Sequence, residues 1–264
     1  MLVDSILGTV QINNSTEPIV AVCNTSLTIR QGWGNAEIIG GIAFGDTDDI
    51  TRAVITAPSW SDANGVSVMV KSDVAAELGP LQLPNAMFDV PIPVAPGDTI
   101  VMNVTSETAA NTQAYGLIWV RYSGAGAWVP PGSGMKAMVT RQWTADAQLV
   151  SNTDTAQTAL NTLAASKNYQ LAGVRSGGIA AATAGLVGPA FMIFANGPGE
   201  FNGAQLIVPL GKGIDVAGQD CCELAKCRFM LTPQFRGGQA FNYRLYGFTA
   251  EQPQGEILFF ASAP

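Results

Sequence analysis

The chain of 264 residues contains no histidine. That removes Ser-His-Asp and Cys-His catalysis, histidine metal ligands and histidine-based pH switching together. Three other groups of residues could do chemistry. Cys221, Cys222 and Cys227 stand close in sequence, with Cys23 a distant fourth thiolate, and four thiolates could hold zinc. Adjacent cysteines rarely both face one ion and the C-x2-C spacing is missing, so these thiols read as small buried hydrophobes. Asp46, Asp48 and Asp49 could gather oxygens around calcium, but the EF-hand spacing is incomplete and a solvated acidic turn is the simpler reading. Glycoside hydrolysis needs two carboxyl groups about 5–10 Å apart across a cleft. Glu37, Asp98, Glu107, Glu200 and Glu223 are available, yet nothing in their spacing pairs them. The expectation is a chain with no catalytic residue, no metal and no cofactor: not an enzyme.

Composition points to surfaces instead. Hydrophobic residues make up 47% and charged residues only 12%, against about 25% charged in an ordinary soluble domain. Such a chain has core enough to fold and too little charge for a solitary surface. Eight arginines against five lysines lean the same way, because interfaces favour Arg and deplete Lys. A net charge of −7 with no basic run argues against sequence-specific binding to nucleic acid. The N-terminus, MLVDSILGTVQINNS, lacks a basic leader and its apolar run is broken by Asp4, so no signal peptide is read. Asn14, Asn24 and Asn103 lie in N-x-S/T frames that matter only in a secretory compartment.

The elements that would carry these residues are strands. Short apolar or alternating runs at Ile6–Ile12, Pro18–Val22, Ser26–Ile29, Glu37–Phe44, Ile50–Thr56 and Gly65–Val70 are separated by turn chemistry. In the last of these, Val66, Val68 and Val70 should share one face. The stretch Phe88–Val104 (FDVPIPVAPGDTIVMNV) carries Pro91, Pro93 and Pro96, so it must be an edge, a strand end or a corner. Ala114–Tyr122 (AYGLIWVRY) follows. Ser123–Gly134 is rich in Gly, Pro and Ser and reads as a crossing between domains 1–133 and 134–264. Further strands are expected at Tyr169–Val174, Ala190–Ala195, Leu206–Leu210, Arg228–Thr232, Asn242–Phe248 and Glu256–Ala261. The uncharged run Ser176–Gly199 reads as two buried strands joined through Gly188-Pro189 rather than a membrane span. Short helices are expected at Asp73–Leu78, at Asp154–Lys167 behind an Asp154 cap, and at Asp220–Glu223. The halves echo one another: Val90-Pro91-Ile92 with Val208-Pro209-Leu210, and Gln113-Ala114-Tyr115 with Gln239-Ala240-Phe241.

The fold class is therefore all-β: two tandem β-sandwich domains with one or two short helices. FDVPIPVAPGDTIVMNV, AYGLIWVRY and their echoes give the chain an organisation that resembles the double jelly-roll major capsid proteins of icosahedral viruses. The resemblance lies in architecture alone, and it implies that the two tandem β-sandwich domains are jelly-roll-like. It implies a virion protein made in the host cytoplasm, homotrimeric capsomers within a larger shell, barrels standing upright, and contacts with minor capsid proteins and an internal membrane. The competing class is an extracellular tandem-sandwich carbohydrate-binding or adhesin-like module, which would gather Trp33, Trp60, Trp128 and Trp143 for sugar stacking.

Overall fold

A computed structural model describes residues 2–45, 50–61, 64–71, 86–107, 111–124, 137–144, 153–155, 158–160, 163–179, 186–194, 203–214, 222–223, 234–239, 241–247 and 253–262. Those from Asp4 to Gly124 form one compact unit, and those from Ala137 onward form another. The expected domain boundary at residue 133 and the Asp73–Leu78 turn lie outside the described residues. So do the thiols Cys221 and Cys227 and the acidic turn Asp46–Asp49.

The N-terminal unit is built from β1 (Leu2–Ile12), β2 (Thr16–Pro18), β3 (Val20–Ala21), β4 (Ala36–Gly45), β5 (Ile50–Thr56), β6 (Val66–Ser67), β7 (Met69–Lys71), β8 (Met87–Val94), β9 (Val101–Ser106) and β10 (Thr112–Tyr122). One sheet runs β3-β1-β10-β4-β7, with β8 also paired to β4; the other runs β2-β9-β5-β6. Setting aside the short β3 and β7 leaves eight principal strands among the described residues. Counted in chain order, the sheets read first-eighth-third-sixth and second-seventh-fourth-fifth. That is a jelly roll, two interleaved Greek keys that bring the first and last strands together.

The second unit repeats the plan. Its strands are β11 (Ala137–Thr144), β12 (Thr153–Asp154), β13 (Thr158–Ala159), β14 (Asn168–Ile179), β15 (Leu186–Phe194), β16 (Leu206–Ile214), β17 (Cys222–Glu223), β18 (Gln234–Arg236), β19 (Asn242–Gly247) and β20 (Pro253–Ala261). The sheets are β11-β20-β14-β17, with β18 beside β14, and β12-β19-β15-β16, with β13 beside β19. Reduced to eight strands, with β13 and β18 set aside, the order is again first-eighth-third-sixth and second-seventh-fourth-fifth.

The two cores are filled differently. In the N-terminal unit Met102, Val104, Ile55 and Ile118 are fully buried. Ile19 joins them as the chain passes from β2 to β3, and glycines at 8, 41 and 116 make room. In the C-terminal unit rings do this work. Phe241 stacks on Phe235 at 5.2 Å between centroids and meets Phe259 edge-on at 5.2 Å and Phe194 at 5.1 Å. On β10, Gly116 faces β9, so Tyr115, Leu117 and Trp119 point the other way. All three are fully buried, so this sheet is covered on both faces, which is why AYGLIWVRY is apolar without alternation.

The proline-rich stretch is an edge. Among the described residues β8 pairs only with β4. Pro93 stands opposite Glu37, and its carbonyl accepts the Trp60 indole N–H at 2.8 Å, so its backbone faces away from β4. Pro91, two residues back, falls where the register with β4 breaks, and neither proline has an N–H to offer a ladder. The corner follows as a type II turn: Asp98 N–H donates to Ala95 C=O at 3.1 Å with Gly97 at φ 91°.

Several expectations are corrected. The helix expected at Asp154–Lys167 is not formed where described: Thr153-Asp154 pairs with Gly247 and Tyr246, Thr158-Ala159 pairs with Tyr243 and Asn242, and Ala164–Lys167 closes as a turn, Lys167 N–H donating to Ala164 C=O at 3.1 Å. The backbone of β19 offers this segment a ladder, and that outweighs a helical spacing of Leu160 and Leu163, which are buried all the same. Cys222-Glu223 pairs with Ser176 and Arg175 as strand β17, where a helical turn was expected. Gly188-Pro189 lies inside β15 and is not the joint between two strands. The run Gly65–Val70 does not keep one face; β6 pairs with β5 and β7 with β4, so it crosses between sheets at the buried Val68.

The echo between halves is real as topology and wrong as alignment. Val90-Pro91-Ile92 is on β8, the sixth strand of its unit, whereas Val208-Pro209-Leu210 is on β16, the fifth of its own. Tyr115 is on an eighth strand, and Phe241 immediately precedes a seventh. Both β8 and β16 end their sheets among the described strands. An apolar-Pro-apolar step is tolerated at a sheet edge wherever that edge falls in the chain order.

Candidate functional site

The candidate residues are used as cross-links between strands and loops. Glu37 and Arg121 face each other across β4 and β10, with Arg121 Nε donating to the carboxylate at 2.9 Å. Asp98 is held by its neighbours: its carboxylate accepts the Ser59 N–H at 3.0 Å and its carbonyl accepts the Ile29 N–H at 2.8 Å. Glu107 is exposed beyond β9. Glu200 lies outside the described residues, and Glu223 is placed on β17. Of the described carboxylates, Glu37 and Asp98 are each held by a different partner and are not joined as an acid pair. Cys23 is a half-exposed cysteine in a turn of the first unit, and Cys222 belongs to the second. No group of three or more Cys, Asp or Glu is placed to hold a metal among the described residues. No described helix is long and apolar enough to cross a membrane.

The loops following β3, β5 and β8 meet at one end of the N-terminal sandwich. Gly97 N–H donates to Ile29 C=O at 2.9 Å, Ile100 N–H to Leu27 C=O at 3.0 Å and Ala95 N–H to Ser59 Oγ at 3.3 Å. Trp60 is clamped there by its bond to Pro93. Trp33 is held at the same end: the Arg30 guanidinium lies 4.5 Å over its ring and Tyr122 meets it edge-on at 5.2 Å. Both tryptophans are half-buried anchors of this loop network. Trp128 lies outside the described residues, and Trp143 is placed on β11. Asn14 and Asn24 occupy left-handed turn positions at φ 45° and 57°, the ordinary use of Asn in a tight turn. Asn103 is on β9.

A constellation the sequence reading did not single out is Asp4, Arg30, Trp33 and Tyr122. The Asp4 carboxylate is nearly buried and accepts from Arg30 Nε at 2.6 Å. The Arg30 backbone N–H donates to the Tyr122 hydroxyl at 3.1 Å. The Tyr122 phenol is pushed up to about 12, first by burial and further by the negative charge of Asp4, while the Arg30 bond and charge pull the other way. The signal was present in Asp4 itself: a carboxylate inside the buried run of β1 needs a cation or donors. Which cation would come could not be read, because Arg30 is 26 residues away.

The class the fold defines is a tandem jelly roll, and the site is a set of packed and hydrogen-bonded loops with no reactive pair among its described residues. No family model matches the chain, and no curated protein does. Among solved structures the chain is similar to one described as the crystal structure of the STIV MCP. The identity is 9% over 98% of this chain and 97% of that one, with a TM-score of 0.27.

Proposed function

We propose that this protein is a structural, non-enzymatic component of an icosahedral virus shell, a major capsid protein that works by associating with copies of itself. The observation that carries the reading is the strand order: two jelly rolls in one chain, each first-eighth-third-sixth over second-seventh-fourth-fifth. The low charge and the preference for Arg over Lys support it, since a surface that meets neighbours can shed the Lys and Glu that water-facing surfaces keep. In this reading the working unit is a homotrimer within a larger shell. Its further partners are minor capsid proteins and an internal membrane, its place is the virion, and it binds no nucleic acid by sequence. Sedimentation velocity over about a hundredfold dilution at moderate salt is the test. Trimers or larger particles that resist dilution are expected. A 27.5 kDa monomer throughout would overturn the proposal and return the chain to the extracellular binding-module class.

A further inference from the structure

We draw no further inference here: the strongest candidate, the outer face of the β2-β9-β5-β6 sheet with Thr16, Arg52, Asn103 and Thr105, carries nothing because nothing in the structure shows what covers it.

Discussion

Ile19 occupies the notch that Gly8 leaves in β1: a Cβ added at Gly8 would stand 2.7 Å from Ile19 Cδ1 and 3.0 Å from its Cβ. Ile19 is β-branched and stiff, and its backbone N–H is tied to Met102 C=O at 3.0 Å, so it cannot swing aside cheaply. Gly8→Ala should cost about 1–3 kcal/mol by overpacking. Adding Ile19→Val should relieve part of that cost, a non-additivity readable by denaturant unfolding of the four variants. Strict additivity would show that the notch does not act as described.

The Asp4–Arg30 pair should respond asymmetrically. Asp4 is 8% exposed at the side chain and Arg30 is 39%. Arg30→Ala strips the cation from the buried partner and removes the cover of Trp33, so it should cost about 2–4 kcal/mol. Asp4→Asn leaves a guanidinium that can still turn to water, and should cost about half as much. Equal losses in chemical denaturation would place both charges in the same environment.

Tyr122 makes alkaline stability a readout of the same corner. Its folded phenol titrates at about 12 against an unfolded value of 10.0. The raised value means that the neutral phenol is favoured in the folded state. Its contribution is fully present below pH 10 and lost as pH rises toward 12, on the order of 2–3 kcal/mol in all. Tyr122→Phe should be less stable by about 1 kcal/mol at neutral pH, where the Arg30 N–H loses its acceptor. Its stability should also fall less than the wild type's between pH 10 and 12. Parallel profiles for the two proteins would exclude Tyr122 as the source.

In the second unit Phe241 is the ring on which the aromatic cluster turns. Phe241→Ala should cost about 3–5 kcal/mol. Val90, 76% exposed on edge strand β8, is the matching surface probe, and Val90→Ser should stay within about 0.5 kcal/mol. Thermal unfolding of the two variants checks both values. A Phe241 variant as stable as the Val90 one would deny the ring its central place.

What could be read from the amino-acid order was set by short-range physics. Pro91 and Pro93 cannot donate to a ladder, so they announced an edge. Pro96-Gly97 can make its type II turn with no help from the rest of the chain, and the unbroken apolar run Ala114–Val120 required cover on both faces. Alternation and turn spacing together imposed the β class and the sandwich reading, and the jelly-roll form came from the resemblance. Tertiary structure decided everything that depends on which strand lies beside which. Thr153-Asp154 and Thr158-Ala159 became strands because β19 offered them a backbone ladder, a condition no local propensity records. Asp4, Arg30 and Tyr122 met because the first strand and the last are neighbours, an adjacency between the ends of a unit. The repeat between halves survived as strand order while its residue matches fell on different strands. Hydrogen-bonded topology is indifferent to side-chain identity, and one core could be filled by Ile19 against glycines while the other was filled by phenylalanine rings.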